Sequence, residues 1–154
     1  MIDIVEELEV LVTKLDEQQI EYALCGGMAV GIHGFARTAI NIDLLILAES
    51  LDAAIVIARN LDYTIGDKDL SFKDGTGEIR RISKIDPDTG DLLPLDFLLV
   101  TPPLLPIWES RIEAEWERGK LSVVTRDGLI NLKRLRNSRQ DLADIEALTG
   151  DNDV

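Results

Sequence analysis

Residues 23 to 47 read ALCGGMAVGIHGFARTAINIDLLIL. The residues from Glu21 to Cys25, EYALC, read as a short strand, and Gly26-Gly27 breaks it. Met28 to His33 is small and apolar, which suits a helix packed close to a sheet, and Gly34 fits its C-terminal end. Asn41 to Leu47 then alternates as a strand does. Ile42, Leu44 and Ile46 point one way, and Asn41, Asp43, Leu45 and Leu47 the other. Asn41 and Asp43 therefore project together, among apolar neighbours that belong in a core.

The flanking sequence supplies more elements of both kinds. Ile4, Leu8, Leu11 and Leu15 recur at helical spacing within residues 3 to 17. Ser50 is placed to cap a helix running to Asn60, with Leu51, Ala54, Ile55 and Ala58 as its buried stripe. Residues 62 to 90 contain three short strand-like runs, YTI, LSFK and EIRRISKI, separated by Gly- and Asp-rich turns. LLPLDFLLV, residues 92 to 100, is a further apolar strand with Asp96 inside it. Pro102, Pro103 and Pro106 end that strand, and the spacing of Trp108, Ile112 and Trp116 predicts a helix after them. LSVV at 121 to 124 is a last strand, Asp127 is placed to cap one helix, and Ser138 a second. The predicted class is α+β: a mixed sheet covered by helices, in one domain over residues 1 to 154, with residues 126 to 148 as a C-terminal helical closure.

Composition excludes several classes of protein. A chain of 154 residues with 45% hydrophobic and 29% charged residues buries a core without disulfides or structural metal. The longest apolar runs, such as Leu44 to Ala48, reach about six residues, too few to cross a bilayer. MIDIVEELEV at the N-terminus is acidic, unlike a signal peptide. The single Cys25 forbids an intramolecular disulfide and a multi-cysteine zinc cluster, so a reducing cytoplasm is the expected location. The net charge of -13 opposes a wide, sequence-independent grip on nucleic acid. The charge is uneven, however. From Arg118 to Arg139 the basic residues are opposed only by Asp127, a local cationic stretch fit to meet a phosphate-bearing small molecule.

Three features carry chemistry when combined. Glycines between a strand and a helix let a backbone approach a ligand, and amides at a helix start attract phosphate oxygens. Gly26-Gly27 occupies such a junction, although a Gly pair alone is more often a tight turn. Asn41 and Asp43 share a strand face. Asp96 lies within an apolar strand, where a buried carboxylate is costly unless paired or bound to a cation. If the two strands are neighbours, Asn41, Asp43 and Asp96 converge into an oxygen cluster suited to Mg²⁺, which takes one or two carboxylates and the phosphates of a nucleotide.

GGMAVGIHGFARTAINIDLLI, from Gly26 to Ile46, resembles the signature of the minimal nucleotidyltransferases of the DNA polymerase beta-like superfamily, nearest to the AbiE-type toxin-related branch. LINLKRLRNSRQDLADIEAL, toward the C-terminus, resembles the same branch. The resemblance implies a nucleotidyltransferase-like fold and a site that takes a nucleoside triphosphate with Mg²⁺. It implies Gly26 and Gly27 at a phosphate turn, Asn41 and Asp43 as the metal pair, and Asp96 as the third acid and candidate base. It further implies Arg37, Lys133 and Arg139 in nucleotide binding, with Asp141 and Asp144 beside them. In the implied reaction an acceptor hydroxyl attacks the α-phosphorus and pyrophosphate leaves.

Asn41 departs from this pattern, which wants an acid. An amide oxygen ligates a cation but brings no charge, so a two-ion site is weakened. Two functional readings follow. One is nucleotidyl transfer to a protein or small-molecule acceptor. The other is a catalytically inactive member that serves as a binding or toxin–antitoxin-type interaction module with a partner protein. The individual residues also carry plainer readings. Asp96 is either a metal ligand or a buried acid paired with Arg37 or Arg81, and Asn41 suits hydrogen bonding to loop backbone better than metal binding. His33 reads as a structural hydrogen-bonder, and Cys25, Trp108 and Trp116 as core.

Overall fold

The computed structural model describes residues 2–34, 39–66, 69–72 and 77–136. Asp3 opens the first helix, α1 (Ile4–Glu17), by accepting hydrogen bonds from the Val5 and Glu6 amides at 3.0 and 3.3 Å. Leu8, Leu11, Val12 and Leu15 form its buried stripe. Strand β1 (Ala23–Cys25) runs directly into α2 (Gly26–Ile32), so this helix starts at the glycine pair rather than after it. His33 caps α2 and Gly34 follows at φ +95°, a conformation that glycine adopts without a Cβ penalty. Strand β2 (Ile42–Ile46) leads through a 3₁₀ turn to α3 (Leu51–Asn60).

Four strands come next: β3 (Ile65–Gly66), β4 (Leu70–Phe72), β5 (Gly77–Ile85) and β6 (Leu92–Leu99). A short helix α4 (Leu105–Glu109), a hairpin of β7 (Ile112–Trp116) and β8 (Gly119–Val123), and α5 (Arg126–Arg136) complete the described chain. Thr125, rather than Asp127, caps α5: its hydroxyl accepts from the Gly128 amide at 3.0 Å. The helix predicted to begin at Ser138 lies outside the described residues, so of the C-terminal closure only α5 is seen.

The eight strands form one mixed sheet in the order β3-β5-β6-β2-β1-β8-β7, with β4 also on β5. At its centre β2 runs parallel to β6 and antiparallel to β1. Every residue of β2 is buried, as expected of a central strand covered on both faces. Helix α5 packs on the face that carries Asp43 and Asp96. Helix α1 covers the other: Lys84, three positions beyond Arg81 on β5 and so of opposite orientation, pairs with Glu7 of α1 at 2.8 Å. The predicted α+β architecture of a mixed sheet covered by helices is the observed one.

The segment from Trp108 to Trp116 corrects the sequence-based reading. It is not one helix: α4 stops at Glu109, and Ile112–Trp116 is an edge strand paired with β8. The four-residue spacing of Trp108, Ile112 and Trp116 mimics a helix. Within the last five residues, however, Ile112, Ala114 and Trp116 also alternate with Glu113 and Glu115, a period-two pattern. A two-residue turn at Glu117-Arg118 joins it to Gly119, whose φ of +112° favours glycine. With a complementary strand within hairpin reach, the pairing overrides the helical spacing. Trp108 is core, as expected, and the Arg111 guanidinium stacks 3.9 Å from its ring.

Both tyrosines are buried against the sheet, and each titrates high. Burial pushes the Tyr22 phenol up to about 12, and the charges of Asp16 and Glu113 add to this against the Ser122 amide that bonds its oxygen. Burial likewise raises Tyr63, and so does Glu7, which accepts its hydroxyl proton at 2.9 Å. In the unfolded chain both ionise near pH ~10. Above that pH the unfolded state loses protons that the folded state keeps, so folding stability falls as pH rises from ~10 toward the folded values. Ultraviolet titration of the folded protein should therefore show almost no tyrosinate at pH ~10. Full ionisation of either phenol there, without unfolding, would contradict this burial.

Candidate active site

The register of the central strands builds the site. Asp43 of β2 stands directly beside Asp96 of β6, Cys25 of β1 lies opposite Asp43, and Arg81 of β5 lies opposite Asp96. Paired residues of neighbouring strands share a face and sit roughly 4.8 Å apart. The two carboxylates thus emerge side by side on one face, from strands far apart in sequence. Both are deeply buried, Asp43 at 9% and Asp96 at 4% exposure, so their charge has to be met within the protein.

Three neighbours meet it. The Arg81 guanidinium grips Asp96 in a fork, with Nε donating to Oδ1 at 2.6 Å and Nη2 to Oδ2 at 2.9 Å. The Asn41 amide Nδ2 donates to both oxygens of Asp43 at 3.0 Å and to Asp96 Oδ2 at 3.4 Å. Lys133, 2% exposed on α5, lines the same recess as the two acids. Asp43 and Asp96 are thus matched in formal charge by Arg81 and Lys133. The expectation of Arg37 or Arg81 as the partner of Asp96 resolves to Arg81 among the described residues; Arg37 lies outside them. Asn41 bonds the carboxylates rather than loop backbone.

Gly26 floors the site. Its φ is +69°, and a Cβ there would overlap Asp43 Oδ2 and come 2.6 Å from Cγ. Only glycine lets the β1–α2 turn pass so close to the acid. Gly27 is not at this recess; it lines a separate groove with Ile4, Met28 and Trp116. His33 is structural, as expected: Nε2 donates to the Val124 carbonyl at 2.9 Å. Arg139, Asp141 and Asp144 lie outside the described residues.

Asp43 and Asp96 are placed where they could share one cation. Three carboxylate oxygens from two acids lie within 3.0 to 3.4 Å of a single atom, Asn41 Nδ2, so the acids have a common point of contact. Two carboxylates with phosphate oxygens make an acceptable Mg²⁺ shell. Among the described residues no group of three or more His, Cys, Asp or Glu side chains is placed to hold an ion. The recess bounded by Cys25, Gly26, Asp43, Asp96 and Lys133 has about 30 Å³ of free space. That admits a water or an ion and not a nucleotide.

Arg81 is the residue of this cluster that the sequence marks least clearly. EIRRISKI shows two adjacent arginines, and only the β5–β6 register tells which one faces Asp96. Arg80 points the other way and pairs with Glu78 and Asp69.

Gly26→Ala should lower stability by about 1–3 kcal/mol in urea unfolding, through backbone strain and overlap with Asp43. Gly31→Ala, in the same helix with nothing near its added methyl, should instead stabilise by about 0.5–1 kcal/mol. Equal effects at the two positions would contradict the close approach at Gly26.

No family model matches the chain, and no curated protein matches it significantly in sequence. Solved structures do match. The lincosamide antibiotic adenylyltransferase LnuA, bound to lincomycin, superposes with a TM-score of 0.61 at 13% identity, over 93% of this chain and 94% of its own. ANT(2")-Ia in complex with adenylyl-2"-tobramycin gives 0.63 at 14% identity, over 96% and 88%. A Thermotoga maritima protein described as a nucleotidyltransferase gives 0.57 at 12%, over 93% and 86%. Identities this low speak to architecture alone, and the architecture they share with this chain is the nucleotidyltransferase fold.

Proposed function

We propose that this protein binds a nucleoside triphosphate with one Mg²⁺ ion and transfers the nucleotidyl group to a small hydroxyl-bearing acceptor. The observation that carries this reading is the in-register pair Asp43 and Asp96, buried side by side with their oxygens converging on one point. Asp43 and Asp96 would hold the ion, with the Asn41 side-chain oxygen turned inward as a neutral ligand. When bound, the ion supplies charge stabilisation to the reacting phosphate. Lys133 and the backbone at Gly26 would bind the phosphates; Gly27, which lines a separate groove, Arg37 and Arg139 join them in this proposal by resemblance alone. The acceptor oxygen bonds to the α-phosphorus, the α–β anhydride bond breaks and pyrophosphate leaves. The hydroxyl proton passes to a carboxylate, for which Asp96 is the candidate once Arg81 releases an oxygen.

The fold neighbours favour a small acceptor, since the two antibiotic-modifying structures hold lincomycin and an adenylylated tobramycin. The net charge of -13 disfavours a polynucleotide. The recess admits only an ion or a water, so the nucleotide would sit outside it, or α5 would move away on binding. Among the described residues no helix is long and apolar enough to cross a membrane.

A second reading has its own observation. Asn41 stands where the resembled pattern has an acid, and its amide hydrogens already occupy both oxygens of Asp43. This favours an inactive member that binds nucleotide, or acts as a toxin–antitoxin-type module with a partner protein, without transferring. Isothermal titration with each nucleoside triphosphate and Mg²⁺ tests the shared premise: at least one should bind, and silence at millimolar ligand would remove both nucleotide readings. Asn41→Asp separates them. Under the transfer reading the native protein releases pyrophosphate in the presence of acceptor candidates, and the added charge raises the rate by about tenfold, the scale of ~1.4 kcal/mol. Transfer by the variant alone would establish the inactive reading.

A further inference from the structure

We infer that Arg81 is a latch on Asp96 that competes with a divalent cation for the acid pair, so that the site loads an ion only when the guanidinium lets go. This rests on the proposed role of Asp43 and Asp96 as cation ligands and adds a residue that regulates it. The geometry is asymmetric. The Asp96 side chain is 6% exposed and fixed in the central strand, whereas that of Arg81 is 33% exposed. The guanidinium has a way out to water, and the carboxylate does not. While latched, Arg81 takes both oxygens of Asp96, at 2.6 and 2.9 Å. Each oxygen keeps a further lone pair, so the competition is one of charge and access: a second positive charge on the same carboxylate is repelled.

The latch also explains how a buried acid pair persists without an ion. Two adjacent carboxylates cannot both stay ionised in a poorly solvated site unless cations face them. Arg81 and Lys133 supply that charge from within the chain. Ion affinity is then lowered by the fraction of molecules in which Arg81 holds Asp96. An arriving nucleotide has reason to favour release, because its phosphates offer the freed guanidinium a second anion.

The experiment is a manganese(II) titration of the full-length chain without nucleotide, read by the electron paramagnetic resonance signal of free ion. Wild type is compared with Arg81→Gln, Arg81→Lys and Arg80→Gln. Arg81→Gln should bind Mn²⁺ about tenfold more tightly than wild type, the scale of one charge-assisted contact. Arg81→Lys keeps the charge and loses the fork, and it should gain part of that increase. Arg80→Gln removes the same net charge on the opposite face and should stay within about twofold of wild type, because Arg80 is turned away from the acid pair and faces Glu78 and Asp69 instead. If Arg81→Gln leaves Asp96 too poorly paired to fold, as circular dichroism would show, the lysine variant carries the test. Unchanged or weaker binding in the folded Arg81 variants overturns the latch. So does the absence of Mn²⁺ binding in every protein, or an equal gain in Arg80→Gln. Titrating the same proteins with ATP keeps the two ideas apart. Tighter Mn²⁺ binding without ATP binding removes the nucleotidyl-transfer reading and leaves the latch; ATP binding with unchanged Mn²⁺ affinity does the reverse.

Discussion

Two carboxylates buried side by side on parallel strands impose the main constraint on this molecule. Asp43 and Asp96 are in register on β2 and β6, and neither reaches bulk water to any useful extent. Leaving such a pair uncompensated costs several kcal/mol, by the order of magnitude for buried charges. Much of the surrounding structure meets that cost. Arg81 sits across β5 from Asp96, Asn41 spans both acids, and α5 brings Lys133 to the same recess. Gly26 has no Cβ because Asp43 fills that space. A buried acid pair is a poor way to stabilise a sheet. Its presence at the centre of the sheet points to use in binding or chemistry, in line with the general clustering of costly ionisable groups at functional sites.

The same compensation separates binding from catalysis. A site whose charges already cancel does not attract a cation strongly by long-range electrostatics, and here both acids are engaged by donors of the chain itself. Asn41 contributes in two ways. As a donor it steadies the acids; as an oxygen ligand it would offer a lone pair without charge. Asn41 and Arg81 are therefore the two side chains that would have to change partners before both acids could take a cation. The carboxylates themselves are held by the central strands and do not need to move.

The rest of the fold serves this arrangement from a distance. The Glu7–Lys84–Tyr63 cluster ties α1 to β5 on the reverse face, with Lys84 also 5.4 Å from the Tyr63 ring. It anchors the strand that carries Arg81. Helix α5 is anchored by Leu129 and Leu132, and their placement on the recess delivers Lys133 one helical turn after Leu129. The solved structures of similar architecture show that this topology tolerates nearly complete replacement of sequence, since shared identity is 12 to 14%.

Much of this was legible in the order of residues. Local rules placed α1, β2, α3 and β6 with boundaries close to those observed, because each has a clear period and a recognisable start or stop. The Asn41–Asp43 pair on one face and the unusual acid at Asp96 follow from alternation within single strands. Their meeting required β2 and β6 to be neighbours in register, a non-local pairing that no local pattern encodes. The choice of Arg81 over Arg80 turned on that same register, since a slip of one residue would have turned the other arginine to the site. The first arm of the hairpin, Ile112–Trp116, departs from expectation because helical spacing and alternation are both present in its residues, and the partner strand, itself expected near 121 to 124, decided between them. Residue types and periods thus specified the parts and the chemistry available to them. Strand pairing across the sheet, which buries charge beside charge, determined which of those groups face one another.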